Sequence, residues 1–443
     1  MYRIKATTAK ELSSILNGVL LGENVFIDYI SIDTREACKE NACFIAISGR
    51  RFNGNDFIDE AIKKGYKLII TENNIKYDAP TIVVKNAVCA LGEISKRLSN
   101  KTKFIGITGS VGKTTVKNMI FDVLNEKYTV TKTEKNENNE IGVSKTLLSV
   151  KNEDFCVVEM GMRAMGEIKW LSYLVEPNIS IITNVGTAHL ERLGSRENIF
   201  EAKKEILIHT KKYAVVPYDE RFLSINYAHI IPIFIGKDIK SREIKYDDNG
   251  IIFSAEYRNE IIRDIKINSF NLANVTNALF AIVVGKLCNI SNDEIKLGLS
   301  KYKGEDLREE IIFIDGITII KDCYNASYES VRSALYLLKQ YSKLKKLTPN
   351  LLIGDMLEIG DASCELHYRI GELIKDLEID KVFIVGKYAK YIADGLCGGI
   401  ICNDREYLSK MLKSTLTKND VLLVKGSRGV ALEEIIERIR EKK

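Results

Sequence analysis

The sequence predicts an α/β protein with three domains: a small α/β domain, a central parallel sheet of the P-loop ATPase type, and a C-terminal, Rossmann-like doubly wound sheet. The chain has 443 residues, which is enough for about three domains of ~100–200 residues each. A glycine-rich loop joins an apolar strand to a helical pattern at Phe104–Thr115. Apolar strands alternate with helical patterns in the last third of the chain, and this alternation favours parallel strand pairing.

Composition and charge are those of an ordinary globular chain, with 45% hydrophobic and 28% charged residues. The formal net charge of +5 is small for this length, and no basic block or basic–aromatic stripe indicates a nucleic-acid partner. The nine cysteines include no C-x-x-C pair, which predicts reduced thiols and a cytoplasmic protein. No apolar run reaches the ~18 residues of a membrane span. We therefore expect a cytoplasmic monomer that acts on small molecules, with no membrane span.

The first predicted domain covers residues 1–85. Its strand patterns alternate with helical ones, and Thr8 and Glu11 have the spacing of a helix capping box. Ser31, Thr34 and Arg35 follow one of the strand patterns. They are candidates for binding an anionic ligand, but the same residue types are equally consistent with turn chemistry.

The central predicted domain covers residues 86–307 and begins with a strand, a glycine loop and a helix. In this arrangement backbone N–H groups and the helix N-terminus converge on phosphate oxygens. The full pattern G-x-x-x-x-G-K-[ST] would need a glycine at Ile107, so the match is to the shorter G-x-x-G-K-T. Lys113 is expected to reach the β/γ-phosphates and Thr114 to approach Mg²⁺. The predicted phosphate site consists of Gly109, Ser110, Val111, Gly112, Lys113, Thr114 and Thr115.

Two further candidates end strands of the same sheet. Glu159 follows the apolar run Phe155–Val158, where a Mg²⁺-directed carboxylate is expected. His189 follows the strand pattern Ile179–Asn184. An isolated histidine is more often structural than a ligand, but its place after a strand's carboxyl end favours a ligand. Lys203 lies in a helical pattern and by pattern alone would be a surface lysine.

Four asparagines could either bind a ligand or have a purely local role. Asn138 and Asn139 lie in an amide-rich loop that either binds a ligand or is simply solvated. Asn274 and Asn277 open an apolar helical pattern, where asparagines either cap the helix or contact a ligand.

The third predicted domain covers residues 308–443. Four apolar strand patterns are each followed by a helical one, which indicates a doubly wound sheet. Asp322 and Asn325 follow the first of these strands and Asp355 follows the second. Ligands of such sheets bind at the carboxyl ends of the strands.

Taken together, these motifs resemble the ATP-dependent Mur ligases, which add amino acids to a peptidoglycan precursor. The resemblance runs in order along the whole chain, and the segments that carry it are the G-x-x-G-K-T loop, Glu159, T-A-H-L-E around His189, A-K-x-E at 202–205, N-V-x-N-A-L from Asn274 and D-x-Y-N-A from Asp322. The segments N-N-E-I-G-V at 138–143 and G-D-M-L-E-I-G at 354–360 favour a member that joins D-alanyl-D-alanine to a UDP-N-acetylmuramoyl-tripeptide.

The resemblance implies that a peptide carboxylate is phosphorylated by ATP and that an amine then displaces phosphate from the acyl phosphate. Lys113, Lys203, His189 and Glu159 would be catalytic, with Lys203 carrying a carbamate. The implied Mg²⁺ residues are Thr114, Glu159, His189 and Lys203. The implied nucleotide residues, besides the phosphate loop, are Asn274, Asn277, Arg308, Asp322 and Asn325. The implied residues for the other substrates are Ser31, Thr34, Arg35, Asn138, Asn139 and Asp355.

The chain departs from the family pattern at three places. Ala273 stands where the family has histidine, Ser327-Tyr328 replaces asparagine–proline, and Asn53 and Asn55 replace an aspartate and a histidine. These departures keep open the alternative of a Mur ligase paralogue or a folylpolyglutamate-synthase-like ligase with a different acceptor. An alternative from a different class is a P-loop NTPase switch, which ATP turnover without a second substrate would favour.

Overall fold

The computed structural model describes residues 1–49, 52–97 and 101–440. Residues 50, 51, 98–100 and 441–443, which the three predicted domain ranges include, lie outside this description. Within the described residues, the strands form three sheets of six, nine and six strands. The predicted α/β class is confirmed.

The first sheet has the strand order β1-β3-β4-β5-β6-β2. Its strands are β1 (Tyr2–Thr8), β2 (Val19–Leu21), β3 (Phe26–Ser31), β4 (Ala42–Ile45), β5 (Leu68–Thr71) and β6 (Thr81–Val83), and its helices are α1 (Ala9–Ile15), α2 (Ile58–Lys63) and α3 (Ala87–Lys96), with a 3₁₀ turn at Gly54–Phe57. Strands β3, β4, β5 and β6 pair in parallel in this order, whereas the edge strands β1 and β2 pair antiparallel to their neighbours. Thr8 and Glu11 form the predicted capping box of α1.

The second sheet has the order β15-β14-β13-β12-β11-β10-β7-β9-β8. Its strands are β7 (Lys103–Thr108), β8 (Val130–Lys132), β9 (Phe155–Glu159), β10 (Ile179–Ile182), β11 (Tyr213–Pro217), β12 (Ile231–Ile235), β13 (Ile239–Tyr246), β14 (Ile251–Tyr257) and β15 (Glu260–Ile267). Its helices are α4 (Lys113–Leu124), α5 (Glu140–Ser149), α6 (Glu167–Val175), α7 (Leu190–Leu193), α8 (Arg196–Lys204), α9 (Glu220–Leu223), α10 (Ala273–Leu287) and α11 (Asn292–Ser300), with a 3₁₀ turn at Glu205–His209.

The position of β7 in this sheet determines where a site can form. β7 lies between β10 and β9 and is parallel to both, so the carboxyl ends of all three strands meet at one edge. Apolar residues of α4 and α10 pack on one face of the sheet, and those of α5, α6 and α8 pack on the other. A ligand can therefore reach the sheet at its carboxyl edge, as in other open α/β sheets.

The third sheet has the order β16-β17-β21-β18-β19-β20 and is parallel except for β16. Its strands are β16 (Glu310–Ile314), β17 (Ile317–Asp322), β18 (Thr348–Gly354), β19 (Lys381–Val385), β20 (Ile400–Ile401) and β21 (Asp420–Lys425). Its helices are α12 (Tyr328–Lys345), α13 (Ser363–Asp376), α14 (Ala389–Leu396), α15 (Arg405–Thr415) and α16 (Glu433–Arg440), with 3₁₀ turns at Gly360–Ala362 and Arg428–Val430. Hydrophobic clusters cover both faces, which confirms the doubly wound sheet. In the described part of the chain, no helix is long and apolar enough to cross a membrane.

Candidate functional site

The predicted strand, glycine loop and helix are present as β7, residues 109–112 and α4. Gly109 has φ +152°, and a Cβ on it would lie 1.9 Å from Thr183 Oγ1. Gly112 has φ +84°, and a Cβ there would lie 2.7 Å from Asn277 Oδ1. Both positions thus require glycine, because neither the backbone conformation nor the space accommodates a side chain.

The segment after β10 holds this loop in place. Thr183 Oγ1 donates to the Val111 carbonyl at 2.6 Å, and Asn184 Nδ2 donates to the same oxygen at 2.8 Å. Asn184 Oδ1 also accepts from the Val111 N–H at 2.9 Å, and Ser110 Oγ accepts from the Gly186 N–H at 2.9 Å. Sequence analysis did not identify the roles of Thr183 and Asn184. Their position directly after an apolar strand could have identified them as site residues.

Lys113 folds back over the glycine loop. Its Nζ donates to the Gly109 carbonyl at 2.7 Å and makes a longer contact of 3.4 Å with the Ser110 carbonyl. Burial lowers the pKa of Lys113, the negative charge of Glu159 opposes this, and the positive charge of Arg308 adds to it. The lysine therefore lies in the field of both a central-domain carboxylate and a third-domain guanidinium.

Glu159 is 2% exposed at the end of β9. Its Oε1 accepts from Asn138 Nδ2 at 2.8 Å, and its Oε2 lies 3.5 Å from Nζ of Lys117. Burial alone would raise the pKa of Glu159, but the charges of Lys117 and Lys113 hold it below its usual value. The carboxylate is therefore ionised, and Lys117 is a neighbour that sequence analysis did not identify.

Glu159 and the loop fit a Mg²⁺ ion. Glu159 Oε2 is buried and receives no hydrogen bond. Thr108 Oγ1, at the start of the loop, is also buried and makes no hydrogen bond. Thr114 is buried in the first turn of α4. No cluster of three or more His, Cys, Asp or Glu side chains suited to a metal occurs in the described ranges. A few protein oxygens completed by phosphate oxygens and water are typical of Mg²⁺ sites.

His189 connects the central domain to the third domain. It has a left-handed backbone, with φ +65°, and its Nδ1 lies 2.8 Å from Oε2 of Glu358. Its Nε2 makes no hydrogen bond to any described residue. The Glu358 carbonyl also accepts from the Glu191 N–H at 3.2 Å. His189 therefore presents one nitrogen to a third-domain carboxylate and keeps the other available.

Lys203 lies in the last turn of α8 and is 1% exposed, so the surface position that its pattern suggested is wrong. Its ammonium has neither an ion pair nor a hydrogen bond within the described residues. Burial, together with the positive charge of Lys113, lowers its pKa well below the usual value for lysine. A buried lysine without a partner favours its neutral form, which is the nucleophilic form.

The third domain brings several charged residues to the region around His189 and the phosphate loop. Arg308 stacks over the Tyr324 ring, with its guanidinium carbon 4.2 Å from the ring centroid. Glu329 in the first turn of α12 accepts from the Thr187 N–H at 3.0 Å and from the Thr187 hydroxyl at 2.9 Å. Glu329 and Glu358 thus both hold the segment that contains His189, and the phosphate loop lies at the junction of two domains.

Asp322 and Asn325 contribute to a buried network at the end of β17. Asp322 Oδ2 forms a 2.9 Å ion pair with Lys425 Nζ, which also donates to the Asn325 carbonyl at 2.7 Å. Asn325 Oδ1 accepts from the N–H of Ala326 at 2.9 Å. Lys425 is 2% exposed at the end of β21, next to β17, and sequence analysis missed it.

Of the two asparagines that open α10, one lies against the phosphate loop. Asn274 is 3% exposed, and its Oδ1 accepts from Asn277 Nδ2 at 2.8 Å. Asn277 Oδ1 lies against Gly112. Asn277 is therefore the one of the two that contacts the loop.

The predicted binding residues of the first domain form an internal turn. Ser31 Oγ donates to Glu36 Oε2 at 2.6 Å, and Arg35 forms a 2.6 Å ion pair with Asp33. The carbonyl of Thr34 accepts from Lys64 Nζ at 2.7 Å. No hydrogen bond or ion pair between described residues joins this turn to the phosphate loop.

The remaining predicted substrate residues have different positions. Asn138 contacts Glu159 and so belongs to the site. Asn139 caps α5 by accepting from the Gly142 N–H at 2.9 Å. Asp355 accepts from the N–H groups of Lys387 and Tyr388 at 2.8 and 3.0 Å. The last two residues stabilise backbone turns in this structure.

Comparison with known proteins agrees with this architecture. Residues 27–98 match the catalytic domain of the Mur ligase family, residues 107–285 match the Mur ligase middle domain, and residues 307–428 match the Mur ligase glutamate ligase domain. The UDP-N-acetylmuramoyl-tripeptide–D-alanyl-D-alanine ligase of Bacillus subtilis is 34% identical over 98% of both chains.

Two solved structures are also similar. A crystal structure of MurF from Acinetobacter baumannii superposes with a TM-score of 0.90 at 27% identity, covering 99% of this chain and 100% of that one. The MurF ligase of Thermotoga maritima in complex with ADP gives a TM-score of 0.83 at 28% identity, covering 93% and 97%. The chain belongs to the Mur ligase family.

Proposed function

We propose that this protein is an ATP-dependent ligase that joins D-alanyl-D-alanine to UDP-N-acetylmuramoyl-tripeptide through an acyl phosphate. The observation that carries the proposal is the phosphate loop, which Thr183 and Asn184 hold next to the segment around Thr187 that Glu329 of the third domain binds. The full-length similarity to a ligase of that specificity supports the choice of substrates. The same similarity favours a peptide ligase over the two alternatives, a folylpolyglutamate-synthase-like enzyme and an NTPase switch.

In the first step, a carboxylate oxygen of the tripeptide attacks the γ-phosphorus, and the bond to the β–γ bridging oxygen breaks to release ADP. The attacking and leaving groups are all anionic, so the protein's task is to bring them together and to offset charge. The glycine loop, the N-terminus of α4 and Lys113 supply that positive potential. Lys113 must leave the Gly109 carbonyl to reach the phosphate.

In the second step, the amine of D-alanyl-D-alanine attacks the acyl carbon, phosphate departs, and the nitrogen loses a proton to form the amide. The acyl phosphate reacts with water as well, so the site must be closed during this step. Glu329 and Glu358 support such closure, since both bind the segment around His189 from the third domain.

Mg²⁺ would be held by Thr114, by Oε2 of Glu159, by His189 and by a carbamate on Lys203. When bound, the ion would neutralise charge on the transferring phosphoryl group. Lys203 reacts with CO₂ as a neutral amine, forming an N–C bond and releasing one proton. Its lowered pKa and its proximity to the charge of Lys113 support both steps of that change.

The three predicted domains complete the proposal. Residues 1–85 bind the UDP end of the precursor, residues 86–307 bind ATP, and residues 308–443 bind the incoming dipeptide and close on the nucleotide. Ser31, Thr34, Arg35, Asn138, Asn139 and Asp355 remain proposed substrate contacts. We also propose a cytoplasmic monomer, and the nine free cysteines of the described residues support the reducing compartment.

A substrate-omission assay tests this function. The purified protein is incubated with ATP, Mg²⁺, the UDP-linked tripeptide and D-alanyl-D-alanine, and ADP is measured together with the peptide product. We expect one ADP per new amide bond and little ADP when either peptide substrate is left out. Equal ADP release without the dipeptide indicates an NTPase switch, and turnover of a folate acceptor instead of the tripeptide indicates the other ligase.

A further inference from the structure

Lys117 is a buried cation that faces the carboxylate of Glu159. It lies in the second turn of α4, one turn after Lys113, and is 1% exposed. Its Nζ lies 3.5 Å from Oε2 of Glu159, which is longer than a normal N–H···O hydrogen bond. The ammonium therefore acts on this oxygen through its charge, and the oxygen accepts no hydrogen bond.

The loop between β8 and α5 fixes the ammonium in this position. Lys117 Nζ donates to the carbonyl of Lys135 at 3.1 Å, and Lys135 has a left-handed backbone, with φ +43°. In the same loop, Asn138 Nδ2 donates to Oε1 of Glu159 at 2.8 Å, and the Asn138 carbonyl accepts from the Gly161 N–H at 2.8 Å. One oxygen of Glu159 thus accepts from an amide, and the other faces a cation that the loop holds in place.

The charges of the protein around Glu159 sum to a positive field. Burial acts against the ionised form of Glu159. The positive charges that act in its favour are those of Lys117, Lys113 and Arg308. One carboxylate thus lies in the field of three cations. A field of this sign attracts phosphate groups and repels a divalent cation.

We propose that Lys117 is the counter-ion of Glu159 and that it makes Mg²⁺ binding at Glu159 depend on a bound nucleotide. The ammonium neutralises the carboxylate, so the protein alone offers a divalent cation little net negative charge. The phosphates of a nucleotide supply that charge, and Oε2 of Glu159 is then open to the metal because no hydrogen bond has to be broken. Lys117 acts on the metal only through Glu159 and is therefore a positioning residue. This rests on the proposed function, because it assumes a nucleotide at the phosphate loop.

The arrangement differs from a site that binds a metal ion on its own. Such sites gather several oxygen ligands, most of them carboxylates and carbonyls. In the part of the chain that the structure describes, no group of three or more His, Cys, Asp or Glu side chains could hold a metal ion. A single carboxylate that already has a lysine as its partner needs further anionic oxygens to hold a divalent cation. Mg²⁺ therefore enters with the nucleotide and leaves with the products.

Mn²⁺ binding tests the proposal, because Mn²⁺ takes the same oxygen ligands as Mg²⁺ and its free form is measured by electron paramagnetic resonance. It is titrated into nucleotide-free protein and into protein that carries one equivalent of ADP. The variants are Lys117→Gln, Lys117→Arg, Glu159→Gln and the double variant Lys117→Gln/Glu159→Gln. Glutamine keeps a donor for the Lys135 carbonyl but has no charge, whereas arginine keeps the charge. The matched control is Lys145→Gln, which removes a cation of α5 that pairs with Glu137 in the same loop.

Without nucleotide, we expect weak Mn²⁺ binding by the wild type, Lys117→Arg and Lys145→Gln. Lys117→Gln should bind Mn²⁺ at least ~10-fold more tightly than these proteins, because the carboxylate has lost its counter-ion. The double variant should lose this gain. With ADP, the wild type should bind Mn²⁺ tightly, and Glu159→Gln should bind it more weakly than the wild type.

Equal Mn²⁺ affinity of nucleotide-free Lys117→Gln and wild type overturns the proposal, and so does a gain that persists in the double variant; both leave the ligase function intact. Should Lys117→Gln not fold, the wild type and Glu159→Gln decide the matter without it. Their nucleotide-free affinities should be equal, and a tight site in the wild type that Glu159→Gln loses overturns the proposal. Absence of ADP binding by the wild type overturns the ligase function and the proposal with it.

Discussion

Replacing Lys203 by methionine should stabilise the protein in CO₂-free buffer. Lys203 is 1% exposed and has no partner in the described residues, so its charged form is disfavoured in the folded protein. Each unit by which its pKa lies below the usual value corresponds to about 1.4 kcal/mol of unfolding free energy. Methionine has a similar length and no charge, and we expect it to add on the order of 1 kcal/mol or more.

The direction of the pH dependence follows from the lowered pKa. Between the folded-state pKa and the unfolded value of about 10.4, the unfolded chain binds one proton more than the folded chain. Wild-type stability therefore rises with pH across that window. The advantage of Lys203→Met should be largest at the acidic end and vanish near the unfolded pKa.

The assay is denaturant unfolding of the wild type, Lys203→Met and the control Lys204→Met, with and without added bicarbonate. Lys204 is half-buried and pairs with Glu201, so its replacement should change little. Bicarbonate should stabilise only proteins with Lys203, and intact-mass measurement under CO₂ should detect the carbamate. Lys203→Ala should lose most ligase activity, with partial rescue by formate. A destabilised Lys203→Met, no response to bicarbonate, or a fully active Lys203→Ala would refute the reasoning.

Four further variants test the rest of the site. Lys113→Ala should keep the fold but lower the rate at least ~10³-fold, since it removes charge stabilisation of phosphoryl transfer; near-normal turnover in a steady-state assay contradicts the P-loop assignment. Glu159→Ala and His189→Ala should each raise the Mg²⁺ concentration needed for half-maximal rate and lower kcat, and an unchanged Mg²⁺ titration leaves both residues with a structural role only. Glu329→Gln should weaken the contact between the third domain and Thr187 and so raise ATP hydrolysis in the absence of the dipeptide, as measured by phosphate release. If the variant releases no more phosphate than the wild type without the dipeptide, the Glu329–Thr187 contact does not close the site.

The sequence predicts the fold best where strands are buried on both faces. β7, β9 and β10 read as apolar runs because helices cover the parallel sheet above and below. The edge strand β1 was missed, because its sequence YRIKATT mixes exposed polar residues with one buried isoleucine. β16 was missed for a similar reason, since it is a partly exposed antiparallel edge whose pairing depends on the neighbouring strand β17.

The site was predictable where a residue ends a strand or follows the glycine loop. Lys117 and Lys425 were not, because nothing local distinguishes a buried lysine from an exposed one in a chain rich in lysine. Their contacts come from other strands or from another domain. Ser327, which departs from the family pattern, has a local explanation: its side chain caps α12 by accepting from the Ser330 N–H.

An oxygen-tracer experiment tests the central claim, a ligase that works through an acyl phosphate, most directly. The UDP-linked tripeptide is labelled with ¹⁸O in the carboxylate that receives the dipeptide, and released phosphate is analysed by mass after turnover with ATP and D-alanyl-D-alanine. Because the attacking carboxylate oxygen stays on phosphorus when the amine displaces phosphate, the account predicts one ¹⁸O in each phosphate released by amide formation. Unlabelled phosphate, released while the labelled oxygen stays in the peptide or leaves as water, would contradict it.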